Sequence, residues 1–193
     1  GAVYTIAFDT LMPDGRTLQI GTVHNLGRSF TIAFNVWVHM PDGSMDYGWQ
    51  TSYGISERVV ASLISVHGDS VGLRLPFKYA PIQVVVVPIP AGPEELRGKI
   101  VETCTEVTEK LKASGIRVTV DLREDMTPGD KFYYWERRGV PLRVEVGPRE
   151  VQSGTVTVVR RDDRSRTTVS LDSLVKSVVE IGQAYDEAIR REA

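Results

Sequence analysis

Four consecutive valines at positions 84–87, flanked by Ile82 and Ile89, constrain this chain more than any other feature. The run is short and β-branched at every position, so it is read as a buried strand rather than a helix. Pro88, Pro90 and Gly92 then punctuate a turn. Residues 94–113 have amphipathic helical spacing and stop before Gly115, a suitable C-cap. Residues 116–121 read as a strand, and Thr127-Pro128-Gly129 opens a short helix that Gly139 ends. Residues 142–146 and 155–160 read as strands, and 171–190 as a closing helix. Strands alternating with helices imply a mixed, largely parallel sheet with helices packed on it.

The residues before this region are patterned differently. Residues 3–9 and 17–23 alternate as paired strands do, around a turn at Met12-Pro13-Asp14-Gly15. A second strand pair is read at 33–40 and 47–52, around Pro41-Asp42-Gly43, giving an antiparallel meander. Residues 55–66 carry apolar side chains at helical spacing, with Ser56 near the N-cap. Gly68, Gly72 and Pro76 interrupt the stretch 67–79, read as a loop with one short strand between two units. The expected division is 1–77 and 78–193. The fold class is α/β and α+β: an antiparallel sheet, then a mixed sheet flanked by helices.

A chain of 193 residues has room for one medium domain or two small ones. Its formal net charge is -2, so nucleic acid would have to be bound through local patches. The single cysteine, Cys104, cannot form an internal disulfide, and no His or Cys cluster has metal-ligand spacing, so no metal site is expected. No apolar run approaches the roughly 18 residues of a spanning helix, and no signal-peptide pattern opens the chain, so no membrane partner and a cytoplasmic location are expected. Tyr4-Thr5-Ile6-Ala7-Phe8 reads as a strand with no lead-in, so the chain is expected to be a piece of a larger domain.

Several groups carry chemistry. Gln19 and Gly21 face one way on their strand, and His24 follows at its end. A buried Gln needs hydrogen-bond partners, and a glycine leaves room beside the backbone. Ser52-Tyr53-Gly54-Ile55-Ser56-Glu57-Arg58 combines a glycine turn, a helix start and an arginine, which together suit a triphosphate. His67-Gly68-Asp69 and the charge run at 160–166 complete the set. Each has a plain structural reading when taken alone: a satisfied strand glutamine, a capped helix, a turn and a solvated hairpin.

Their order is what carries information. Leu18-Gln19-x-Gly21-Thr22-x-His24, then Gly54-Ile55-Ser56-x-Arg58, then His67-Gly68-Asp69-x-x-Gly72-Leu73-x-Leu75-Pro76 resemble successive stretches of prolyl-tRNA synthetases of the archaeal and eukaryotic type. Thr127-Pro128-Gly129-x-Lys131-Phe132-x-x-Trp135-Glu136 and Gly139-Val140-Pro141-Leu142-Arg143-Val144-Glu145-Val146-Gly147-Pro148-Arg149 resemble the core of that family's anticodon domain. The resemblance implies the back half of a class II catalytic domain, including its third motif, joined to an anticodon-binding domain. It implies that Gln19, Ser56 and Arg58 hold ATP, with Arg58 the catalytic residue on the phosphates. It implies that Gly21, Thr22 and His24 line a proline pocket. Glu136 and Arg143 would read anticodon bases, while Lys131, Arg149 and the run at 160–166 would hold tRNA backbone, with Tyr133, Tyr134 or Trp135 stacking on a base. Val23, Arg28, Ser29, Phe77 and Asp130 depart from the family pattern.

By the same resemblance, the first two class II motifs would lie before residue 1. A zinc-binding domain, if present, would follow residue 193. Three functional readings follow. One is a proline–tRNA ligase using ATP with Mg²⁺ as its substrate complex, acting on proline and tRNA(Pro) in a homodimeric parent. The others are a tRNA-binding module and a degenerate synthetase-like subunit with no activity of its own.

Overall fold

The computed structural model describes residues 1–192 as two compact units, Gly1–Val66 and a second that begins at His67.

In the first unit, β1 (Tyr4–Leu11), β2 (Thr17–Gly27) and β5 (Gln50–Ile55) form an antiparallel sheet in the order β1-β2-β5. A short helix α1 (Ser29–Ala33) and a hairpin of β3 (Trp37–His39) and β4 (Met45–Tyr47) lie between β2 and β5 in sequence. Helix α2 begins at Arg58 and runs to His67. The strand expected at 33–40 is therefore shorter and preceded by a helix. Thr31 is buried, and its hydroxyl donates to the carbonyls of Arg28 and Gly48 at 3.0 and 2.7 Å. Asn35 takes a left-handed φ of 55° and accepts the Trp37 indole N–H at 2.8 Å. These side-chain bonds fix a helix and a turn where β-propensity alone favours strand.

In the second unit a five-stranded sheet runs β10-β9-β8-β6-β7, built from β6 (Val84–Pro88), β7 (Val118–Val120), β8 (Leu142–Val146), β9 (Thr155–Arg160) and β10 (Arg166–Ser170). β6 is parallel to both β7 and β8, whereas β8–β9 and β9–β10 are antiparallel. The sheet is mixed, as expected, with half its pairings parallel. The physical reason is connection length. α3 (Glu94–Ala113) and α4 (Pro128–Arg137) are long enough for crossovers, but the eight residues from 147 to 154, holding only α5 (Pro148–Ser153), are too few. Neither α5 nor β10 was apparent from the sequence.

The valine run occupies the sheet's centre. Val84 and Val86 face a core with Ile100, Cys104 and Leu111 of α3 and Val178 and Tyr185 of α6 (Leu174–Glu192). Val85 and Val87 face the opposite side, where Val140 and the α4 residues Phe132 and Trp135 cover them. α4 is started by a capping box in which the Thr127 hydroxyl accepts from the Asp130 N–H and the Asp130 carboxylate accepts from the Thr127 N–H. Asp130, one of the departures from the family pattern, thus serves a local purpose. Residues 67–77 were expected with the first unit, but they pack on α4. The N–H groups of Leu73 and Leu75 donate to the carbonyls of Arg137 and Gly139, both at 3.1 Å. Gly139 has φ 75°, and a Cβ there would lie 2.8 Å from the Leu73 carbonyl oxygen, so only glycine fits this junction.

Candidate adenylate and anticodon sites

In the first unit Gly21, Thr22 and His24 lie where β2 pairs with β5, whereas Gln19 lies outside that pairing, opposite Asp9 of β1. Gly21 is registered with Phe8 on β1 and Ile55 on β5, Thr22 with Gly54, and His24 with Thr5 and Ser52. The His24 Nδ1 and the Thr5 hydroxyl form a hydrogen bond of 2.8 Å. Phe8, Gly21, Thr22, Tyr53, Gly54 and Val59 line a cleft of about 390 Å³. A bulge interrupts the pairing: Phe8 opposes Gly21 while Asp9 opposes Gln19, leaving Ile20 as the extra residue. Strict alternation had put Gln19 and Gly21 on one face. The bulge ends that alternation, since cross-strand partners share a face and Phe8 and Asp9 do not. The Ser56 N–H closes the corner on the Ile20 carbonyl at 3.1 Å. Arg58, exposed at the start of α2, donates from Nε to the Ser56 hydroxyl at 3.2 Å.

In the second unit Glu136 and Arg143 lie on the side of the sheet that carries Val85 and Val87, whereas Arg149 is on α5, whose Val151 packs against the opposite core. Register places Val85, Arg143, Val159 and Arg166 in one row across four strands, with Glu145 and Thr157 in the next. Here the side chains form a chain of alternating charge. Arg164 lies 3.6 Å from the Glu136 carboxylate. Arg143 donates from Nη1 to Glu136 at 2.8 Å and from Nε to Glu145 at 2.9 Å. Arg166 reaches the same Glu145 through both terminal nitrogens. The Arg143 guanidinium sits 4.0 Å from the centre of the Phe132 ring, a cation–π contact. Two carboxylates and three guanidiniums leave the array with one net positive charge.

The end of α4 that carries Glu136 is held from below. Arg161 is 4 % exposed and donates to the Glu136 carbonyl at 2.8 Å and to both carboxylate oxygens of Asp69 at 2.9 and 2.8 Å. The Arg161 guanidinium holds the Asp69 carboxyl far below the usual carboxylate range. The His-Gly-Asp turn is thus a latch on the α4 C-terminus.

Two expectations need correction, and one open choice narrows. Lys131 is only 4 % exposed, and its ammonium donates to the Asp121 carbonyl at 3.0 Å, so it is an interior residue rather than a surface cation for tRNA backbone. The run at 160–166 does form a hairpin loop, but its cations separate. Arg161 is buried, Arg160 pairs with Asp162, and Arg164 and Arg166 are the exposed arginines. Of the three aromatics, Trp135 donates its indole N–H to Asp121 at 2.8 Å. Tyr134 is sandwiched between the guanidiniums of Arg123 and Arg138, at 4.1 and 3.6 Å from its ring centre. Tyr133 remains 55 % exposed and is the most open of the three rings. Arg149, in the first turn of α5, is exposed.

Glu145 was not singled out in the sequence, and Asp69 was singled out only within the His67-Gly68-Asp69 turn. The signal for Glu145 was present, because Arg143 and Glu145 are two apart in an otherwise apolar strand and must share a face. Nothing in the sequence links Asp69 to Arg161. Among the described residues, no group of three or more His, Cys, Asp or Glu is arranged to hold a metal.

The family model described as an anticodon binding domain matches residues 83–181, just over half of the chain. A Proline--tRNA ligase from Aeropyrum pernix is 54% identical over all 193 residues, and one from Ignicoccus hospitalis is 50% identical. The chain spans about 40% of the length of each. Among solved structures, Giardia lamblia prolyl-tRNA synthetase in complex with prolyl-adenylate aligns with a TM-score of 0.87 at 35% identity, covering 100% of this chain and 41% of that one. The resemblance to prolyl-tRNA synthetases therefore holds along the whole sequence, and the chain belongs to the anticodon binding domain family.

Proposed function

We propose that the second unit, which begins at His67, reads the anticodon of tRNA(Pro), and that residues 1–66 supply part of the adenylate site of a proline–tRNA ligase. The observation that carries the first half is the charged array Arg164–Glu136–Arg143–Glu145–Arg166, which runs from the end of α4 across the sheet to the exposed Arg164 and Arg166. Proline anticodons contain two adjacent guanines. A guanine offers O6 and N7 to a guanidinium, and its N1–H and N2–H₂ to a carboxylate, so Arg143 and Glu136 match it in donor and acceptor type. Exposed Arg149, Arg164 and Arg166 supply charge for backbone phosphates, and Tyr133 a stacking surface.

In the ligase reaction the proline carboxylate attacks the ATP α-phosphate, forming prolyl-adenylate and releasing pyrophosphate. A terminal ribose hydroxyl of tRNA then takes the prolyl group. Arg58, steadied by Ser56 at the start of α2, fits the phosphates of a Mg²⁺–ATP complex, with Gln19 beside the nucleotide. The cleft beside Gly21 and Thr22, with His24 hydrogen-bonded to Thr5, fits the small apolar ring of proline.

The test is binding of the chain to an RNA hairpin bearing a proline anticodon, and to one with a single guanine replaced. Arg143→Ala should lose discrimination at one base by about 1–3 kcal/mol. Equal weakening for both hairpins would make Arg143 a phosphate contact and refute the reading.

A further inference from the structure

We propose that Glu145 is the positioning residue of the base reader: it fixes the guanidinium of Arg143, and draws in Arg166 from a neighbouring strand as the second half of a clamp. The inference rests on the reading of Arg143 as a base contact.

Glu145 is 1 % exposed, at the penultimate position of β8. Burying a carboxylate costs several kcal/mol unless its lone pairs are satisfied, and an apolar residue of similar volume is often as stable or better. Here both oxygens are satisfied by arginines alone. Oε1 accepts from Arg143 Nε at 2.9 Å and from Arg166 Nη1 at 3.4 Å, and Oε2 accepts from Arg166 Nη2. Arg143 is then restrained at three points: Nε on Glu145, Nη1 on Glu136, and one face on the Phe132 ring. Its side chain is 11% exposed, whereas that of Arg166 is 56% exposed.

This matters because an arginine discriminates bases only when its donors are presented in a fixed plane. A mobile arginine still attracts phosphate, but without sequence preference. Removing the Glu145 charge leaves Arg143 and Arg166 side by side with only Glu136 between three guanidiniums. Repulsion then favours a swing of Arg143 toward Glu136. The chain would bind RNA no less strongly, since it gains a positive charge, but would choose less well. Preorganisation of this kind acts on specificity rather than on raw affinity.

The experiment measures affinities of the 193-residue chain for the proline-anticodon hairpin and its single-guanine variant, at one salt concentration. Circular dichroism reports the folded fraction. Glu145→Gln keeps the side-chain size and one acceptor. It is expected to lower the ratio of the two affinities by about tenfold, equivalent to ~1.4 kcal/mol, with the affinity for the altered hairpin unchanged or raised. Combined with Arg143→Ala it should add nothing further to the loss of ratio. If Arg143→Ala lowers the ratio and Glu145→Gln does not, the positioning role is wrong and the base-reading assignment stands. An additive double variant also overturns the positioning role. If Arg143→Ala leaves the ratio intact, the base reading fails and the inference fails with it. Should Glu145→Gln not fold, Arg166→Met removes half of the clamp from an exposed position. A smaller fall in ratio is then expected, and an unchanged ratio overturns the proposal.

Discussion

Gly182→Ala tests the packing of the second unit, because two effects of similar size oppose each other there. Gly182 lies inside α6, where replacing glycine by alanine favours the helix by about 1 kcal/mol. A Cβ at this position would, however, lie 2.5, 2.6 and 2.7 Å from three atoms of the Phe77 ring. Carbon atoms normally meet at about 3.5–4.0 Å, so the ring must retreat by roughly 1 Å. It has little freedom to do so. Phe77 is 7% exposed, its N–H donates to the Asp186 carboxylate, and its carbonyl accepts from Gln83 Nε2 at 3.0 Å. The Lys78 N–H donates to the other Asp186 oxygen at 3.0 Å. Overpacking of this kind costs about 1–3 kcal/mol. The expected net effect is destabilisation by ~1 kcal/mol, and a fall in Tm of about 4 °C for a unit of this size. Thermal melts of the wild type, Gly182→Ala, Phe77→Ala and the double variant decide the matter. With the ring gone, the alanine should become stabilising by about 1 kcal/mol, reversing the sign. A rise in Tm for Gly182→Ala in the wild-type background, or the same shift in both backgrounds, would refute the reasoning. Phe77 is one of the departures from the family pattern, and this experiment would show what the departure demands of its neighbour.

Two further predictions concern ionisable groups. The Asp121 carboxyl is held down at about 2, chiefly by its hydrogen bonds to Arg123 and then by that from the Trp135 indole. Because this lies below the usual carboxylate value, the Asp121 charge stabilises the fold fully above pH ~4, and that stability is lost as pH falls toward 2. Asp121→Asn should cost about 1–2 kcal/mol near neutrality, with the difference from wild type vanishing by about pH 2. With Trp37 and Trp49 replaced by Phe, emission from Trp135 would follow unfolding of the second unit alone, and an unchanged gap at acid pH would refute the assignment. Burial pushes the Cys104 thiol up to about 12 with no exposed surface, so an aromatic disulfide reagent at pH 8 should label it only after denaturant is added. Rapid labelling of the native chain would contradict its place in the core.

The valine run specified the central strand of the second unit because its signal is local: β-branching at every position and proline closure at the end. The start of α4 at Thr127-Pro128-Gly129, the long helix α3 and the β1–β2 pairing are local in the same sense, and all were legible. Helix α1 was not, since it depends on the Thr31 hydroxyl finding the Gly48 carbonyl, 17 residues away.

The candidate site divides along the same line. Residue types and their order put Glu136 and Arg143 forward as candidates, and adjacency within β8 made Glu145, the neighbour of Arg143, available to inspection. Sequence alone determined which residues carry charge, but not which of those charges meet solvent. Lys131 and Arg161 carry the same charge as Arg149 and Arg166, yet the first two are interior and the last two exposed. Only the tertiary structure decided this, because a buried cation is tolerable only where acceptors surround it, and those of Arg161 come from Asp69 and Glu136, 92 and 25 residues away in the chain.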